Sequence, residues 1–207
     1  MTGVMRLGLT GTVGAGKSTV AAMLRDRGAA VIDADALARD VVRDPAVLDA
    51  IAAALGADLI AEGDGGPVLD RAATAARVFD DPAARERLEA IVHPRVRAAA
   101  ADARAAWARR PDPPAVVVED VPLLFETGRD AEMDVTVVVD APFELRAARL
   151  AERAGLDEAA VRARDAAQWS AADKRAAADH VIVNDGDVAT LEARVDALWR
   201  AVRPAER

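Results

Sequence analysis

A chain of 207 residues with 52% hydrophobic side chains can bury the core of one compact domain with smaller subdomains, and with aromatics at 3% much of that core falls to alanine-rich helices. The net charge of −8 argues against a broad nucleic-acid or anionic-membrane surface, although a local basic pocket can sit within an acidic protein. The absence of cysteine excludes disulfides, thiolate catalysis and cysteine-ligated zinc.

Val4–Thr10 is short and apolar and reads as a buried strand. Met1 and Met5 are both possible starts, and only the second begins directly at this strand. Met1–Leu9 lacks the long apolar stretch of a signal peptide, and no apolar run reaches the roughly 18 residues of a membrane helix, so a soluble cytoplasmic protein is expected. Lys17–Arg27 carries Val20, Met23 and Leu24 at helical spacing and closes at Gly28. Ala30–Ile32 is a second short strand, ending at Asp33-Ala34-Asp35. From there to about Arg110 the pattern is helical, with punctuation at Pro45, Gly56, a Gly63–Pro67 loop, Pro82 and Pro94. Ala115–Val118, Val135–Val139 and Val181–Val183 are three further strands, and helices follow the last two near Phe143–Ala154 and Ala189–Val202.

Continuous apolar strands separated by helices, with the glycine-rich phosphate-loop pattern Gly11–Ser18 after the first of them, predict an α/β fold, a five-stranded parallel sheet of the P-loop NTPase type flanked by helices. Two insertions interrupt it. The expected division is a nucleotide-binding core from residues 1–34, 111–142 and 178–207, a helical substrate-binding lobe at 35–110, and a helical lid at 143–177.

The strand-to-helix connection Gly11-Thr12-Val13-Gly14-Ala15-Gly16-Lys17-Ser18 matches the G-x-x-x-x-G-K-[ST] phosphate-binding loop in full. Chance supplies such a match in roughly one of a few thousand shuffled chains of this composition. Glycines let consecutive amides turn inward around an anion, and the following helix adds partial positive charge at its N-terminus. Lys17 can supply a point charge to the β- and γ-phosphates, and the Ser18 hydroxyl can ligate Mg²⁺. A P-loop says nucleotide, not reaction. A guanine-specific switch would carry Asn-Lys-x-Asp, which neither Lys174 nor Asn184-Asp185-Gly186-Asp187 supplies. Val116-Val117-Val118 runs into Glu119-Asp120, the reverse of the Asp-Glu that ends the corresponding strand of motor ATPases. A small-molecule kinase suits the chain best; a kinase for a nucleoside or sugar acid, or a nucleotide-gated regulator, stays open at this level.

Ligands of open parallel sheets gather outside the carboxyl ends of the strands, which brings together the loop, Asp33 with Asp35, and Glu119 with Asp120. Phosphoryl transfer needs a carboxylate to orient the attacking hydroxyl and take its proton. Asp33 or Asp35 could equally cap a helix through Ala36–Val42. Arg146, Arg149 and Arg153 line one helical face and could meet transition-state charge, although such a stripe is commonly a solvated surface; Arg162, Arg164, Lys174 and Arg175 extend it. His93, His180, Trp107, Trp169 and Trp199 read as structural or packing residues. Only Lys17 and Lys174 among the 27 basic residues are lysine, which makes the position of each informative.

These residues together resemble the dephospho-CoA kinase family along nearly the whole chain. The matching stretches are Leu9–Ala21, Val31–Val42, Leu69–Arg71, Val78–Asp81, Arg85–Val96, Val118–Gly128, Arg149–Gly155, Gln168 and Ala178–Gly186. Asp-Ala-Asp, His-Pro and Asp-Val-Pro-Leu-Leu-Phe-Glu, in this order after a P-loop, set the family apart from other P-loop kinases. The resemblance implies transfer of the γ-phosphate of ATP, with Mg²⁺, to the ribose 3′-hydroxyl of dephospho-CoA, the last step of coenzyme A biosynthesis. It implies a helical lobe that binds CoA, and ATP and dephospho-CoA as the partners, with no nucleic acid and no membrane. A monomer or weak homo-oligomer is expected. By the same resemblance Asp35 is the base, Lys17 and Arg149 stabilise the moving phosphoryl group, and Ser18 ligates the metal. Gly11, Thr12, Val13, Gly14, Ala15, Gly16, Lys17, Ser18 and Thr19 hold the nucleotide, with Asn184 and Gly186 beside adenine. Asp33, Asp35, His93, Asp120, Pro122, Leu123 and Leu124 line the acceptor pocket. Thr12 departs from the family, which usually has glycine there; threonine disfavours positive φ, so an ordinary β or α backbone is expected. The acidic, glycine-rich Glu62–Pro67 stretch reads as a surface excursion.

Overall fold

A computed structural model describes residues 4–203. Its central sheet contains β1 (Met5–Gly11), β2 (Ala30–Asp33), β5 (Val116–Asp120), β6 (Val135–Asp140) and β7 (His180–Val183). The order is β2-β5-β1-β6-β7, and every pairing is parallel. Parallel strands covered on both faces need apolar residues at successive positions, and β5 is buried at all of Val116–Asp120. Leu7, Leu9, Val116, Val118, Val137 and Val139 form the core with Val20 and Leu24 of α1 (Lys17–Asp26) and Leu191, Val195 and Leu198 of α9 (Val188–Val202). The five expected strands are present, most of them running a residue or two further into terminal Gly, Asp or His than apolar runs alone indicate.

The chain divides into two compact units. One holds the sheet, from the N-terminal side to Asp33 and from Trp107 onward; the other is Ala34–Ala106. The second unit contains α2 (Ala34–Val41), α3 (Pro45–Leu55), a hairpin of β3 (Ile60–Gly63) and β4 (Gly66–Leu69), α4 (Arg71–Asp80) and most of α5 (Pro82–Ala108). Its own core is Val47, Ile51, Leu55, Leu59 and Ala84, with Leu69, Leu88 and Ile91 packed against it. Helix starts follow local chemistry: Asp44 accepts from the Ala46 amide and Asp70 from the Ala73 amide, each at 2.9 Å.

Two expectations are corrected here. The Glu62–Pro67 stretch is mostly exposed, as expected of a surface excursion, but it is part of an antiparallel hairpin rather than a loop, paired from Ile60↔Leu69 to Gly63↔Gly66. Each strand is only four residues long with its central residues exposed, so the apolar alternation that announces a strand is missing; the Asp64-Gly65 pair at its tip was the available signal. Pro94 does not punctuate either. It lies inside the 27-residue α5, where the lost amide donor is a local defect that the rest of the helix tolerates. Arg95 donates from Nη1 to the Ile91 carbonyl at 2.8 Å beside it.

Residues 143–177 fold as α6 (Phe143–Ala154), α7 (Glu158–Ala166) and α8 (Ala171–Ala177), within the sheet-bearing unit. Gly155 at φ 63° ends α6, and Asp157 and Ser170 cap the next two helices through the Ala160 and Asp173 amides.

Candidate active site

β1 is central in the sheet, so its carboxyl end delivers Gly11–Ser18 to the middle of the edge where parallel sheets bind ligands. The loop bends at Gly14, φ 77°, and Gly16, φ 93°, both left-handed. A side chain at Gly14 would meet Leu150 Cδ1 at 2.8 Å, and one at Gly16 would collide with the Asn184 amide. Among the described residues no other residue type has positive φ, so Thr12 has the ordinary backbone expected of it. The Thr12 side chain is buried and its hydroxyl has no hydrogen-bond partner.

The carbonyls of the loop are taken up by protein donors. Thr12 O accepts from the Ala15 amide at 3.1 Å, Val13 O from Arg146 Nη1 at 3.0 Å, Ala15 O from Asn184 Nδ2 at 2.8 Å and Gly16 O from the Thr19 amide at 3.0 Å. The first amides of α1 have no acceptor within their own helix. With four of its carbonyls held by protein donors and a helix N-terminus behind it, the loop has the build of an anion nest.

Lys17 at the head of α1 forms an ion pair with Asp120 at the end of β5, so a cation and a carboxylate flank the loop. Glu119, its neighbour, is 1% exposed and turns the other way, to Arg129 and, at 3.3 Å, Arg6. That is a buried structural network, and it separates the two acids that the sequence places side by side.

The cationic stripe of α6 also divides. Arg153 is exposed. Arg149 donates from Nη2 to the Asn184 carbonyl at 3.2 Å, while its Nη1 is buried without a hydrogen-bond partner. Arg146 is 5% exposed and spends its donors on protein: Ala141 O at 3.1 Å, Val13 O, and both oxygens of Asp165 at 2.8 and 2.7 Å. Lys174, completely buried, reaches Glu126 at 3.0 Å, Gln168 Oε1 at 3.2 Å and the Pro122 carbonyl at 3.3 Å. Arg162 is on the surface, paired with Glu158 and lying 4.1 Å over the Phe143 ring. Neither anchoring cation is recognisable from local spacing, although the scarcity of lysine marked Lys174.

Pro122–Leu124 follows β5. Thr10 donates to the Pro122 carbonyl at 2.9 Å; Leu123 is exposed, whereas Leu124 is fully buried beside Gly8. Trp169 is half-exposed and stacks on Phe125 with centroids 5.9 Å apart. Asn184 is buried against the loop, and Gly186 beyond it is exposed. Between them the Asp185 carboxyl is held below the usual carboxylate range by a hydrogen bond from Arg194. Asp33, exposed, ends β2. In the second unit α2 begins at Ala34, so the exposed Asp35 lies inside its first turn rather than ahead of it as a cap. His93 is half-buried on α5 of that unit.

A parallel sheet whose central strand feeds this loop, with a lysine and a strand-end aspartate beside it, defines a nucleotide-binding protein of the P-loop class. The dephospho-CoA kinase family profile matches residues 5–190. The dephospho-CoA kinase of Deinococcus radiodurans is 49% identical over 195 residues, 94% of this chain and 91% of its own length. That of Methylococcus capsulatus is 48% identical over 196 residues, 94% of each chain. The crystal structure of TT1252 from Thermus thermophilus aligns with a TM-score of 0.82 and 36% identity, over 98% of this chain and 100% of that one. Dephospho-CoA kinase from Campylobacter jejuni shares the fold, with a TM-score of 0.62 and 21% identity over 96% and 97% of the two chains. The chain belongs to the dephospho-CoA kinase family.

Proposed function

We propose that this protein transfers the γ-phosphate of ATP to the ribose 3′-hydroxyl of dephospho-CoA, giving CoA and ADP, the last step of coenzyme A biosynthesis. The observation that carries this reading is the Gly11–Ser18 nest, with left-handed turns at Gly14 and Gly16, in a chain of this kinase family. Its amides and the Lys17 ammonium bind the β- and γ-phosphates. Arg149, whose Nη1 lacks a protein partner, meets the charge that develops on the transferred group. Asp35 orients the 3′-hydroxyl and receives its proton as the new oxygen–phosphorus bond forms. The bond from the γ-phosphorus to the bridging oxygen breaks, and ADP leaves.

Residues 35–110 serve as the CoA-binding lobe and 143–177 as the lid. Asp33, His93, Asp120, Pro122, Leu123 and Leu124 line the acceptor pocket, and Asn184 and Gly186 border adenine. An exposed hydroxyl at the head of α1, Ser18, suits Mg²⁺, which keeps most of its water and prefers phosphate oxygens to an all-protein cage. When bound, that ion neutralises charge on the phosphate oxygens. The protein works in the cytoplasm on these two small molecules, as a monomer or weak homo-oligomer, without nucleic acid or membrane; its net charge of −8 argues against a broad nucleic-acid or anionic-membrane surface.

ADP release tests the reading, with ATP and Mg²⁺ and with dephospho-CoA, nucleosides or gluconate as acceptor. Stimulation by dephospho-CoA is expected. Stimulation only by a nucleoside or gluconate would make the protein a different small-molecule kinase, and none by any acceptor would favour a regulator.

A further inference from the structure

An anion nest works only while its backbone is held with amides inward, and the opposite face of that backbone presents carbonyls that need donors. At Val13 that donor is the Arg146 guanidinium, 5% exposed and oriented by a two-pronged bond to Asp165 of α7. The same group bonds Ala141 O at the end of β6, so one side chain joins the loop, the sheet and α7. Packing supports the joint, because Gly14 lies against the same turns of α6: a Cβ there would be 2.8 Å from Leu150 Cδ1 and 3.1 Å from Arg146 O. A planar guanidinium suits this work, since its fixed fork of donors loses less freedom per bond than a lysine would.

We infer that Arg146, locked by Asp165, is a positioning residue that sets the P-loop for phosphate and couples α7 to the quality of the nucleotide site. The inference rests on the proposal that the loop binds ATP. It takes Arg146 out of the group of cations that touch the transferred phosphate and leaves Arg149 there. Asp165, 19 residues away and with no bond to the loop, therefore influences nucleotide affinity through Arg146.

Calorimetric titration with ADP, kinetics and thermal melting on the full-length protein test this with Asp165→Ala, Asp165→Asn and Arg146→Lys. The ADP Kd and the KM for ATP are expected to rise about tenfold in Asp165→Ala and Arg146→Lys, the size of effect one charge-assisted hydrogen bond produces. The KM for dephospho-CoA stays within about twofold, a split that general destabilisation would not produce. Asp165→Asn keeps the volume and one acceptor and should show a smaller rise, so it carries the test if the alanine variant fails to fold. Folded variants with lower melting points but wild-type affinity for ADP would overturn the positioning role alone. Failure of the wild-type protein to bind ADP would overturn the nucleotide reading, and this inference with it.

Discussion

The phosphate side of the site and the acceptor side are built on different principles. Around the loop, Val13 O is held by Arg146, Ala15 O by Asn184 and the Lys17 ammonium by Asp120, all from elements far away in sequence. The acceptor candidates are mixed: Asp33, Asp35 and Leu123 are exposed and His93 is half-buried, whereas Asp120 and Leu124 are buried. A triphosphate is bound by aimed amides, so the aiming must be complete in the protein itself. A large acceptor can bring its own apolar surface and supply burial when it binds.

Mutations can break this contrast. The largest effect is expected at Asp35→Asn, which should cut kcat by about two to four orders of magnitude while the ATP Kd stays within about twofold. Steady-state kinetics with ADP titration check it, and comparable turnover in the variant would remove Asp35 as the base. Lys17→Ala should lower kcat by about two orders of magnitude and also weaken ATP binding, because its charge serves both the bound nucleotide and the transition state. An unchanged ATP Kd would separate Lys17 from the nest. Lys174→Met removes the buried cation that pairs with the half-buried Glu126 and should cost about 2 kcal/mol of stability by urea denaturation. A neutral result would mean that this buried lysine does not fix the Pro122–Glu126 segment.

The smallest effect concerns acid stability. The Thr136 amide and hydroxyl both donate to Asp179 at 2.8 Å and lower its pKa from the model-peptide value of 3.8. A carboxylate with a depressed folded-state pKa contributes its stabilisation above the unfolded value and loses it as pH falls through the folded one. Asp179→Asn should therefore flatten the loss of stability below about pH 4, by less than about 1 kcal/mol because the group is exposed. Melting curves from pH 2 to 7 check this, and an unchanged slope would discard the contribution.

The parts visible in the sequence are those set by local rules. The P-loop needs its glycines at fixed spacing, the five buried strands need apolar runs, and both appear where expected. What stayed hidden depends on distant partners. Arg146, Arg149 and Arg153 look equivalent on one helix face, and only folding sends the first to Asp165 and Val13, the second to Asn184 and the third to solvent. Glu119 and Asp120 are adjacent in sequence, but successive strand residues face opposite sides, so one enters a buried network and the other meets Lys17. The β3–β4 hairpin escaped because its strands are short and half-exposed, and Pro94 misled because a long helix tolerates one missing donor.

The most direct test is the position of the new phosphate. Phosphorus NMR of the product from ATP, Mg²⁺ and dephospho-CoA should show a single new phosphomonoester, coupled to the ribose C3′ proton. A phosphate at any other hydroxyl, or ATP consumed with the acceptor unchanged, would contradict the account.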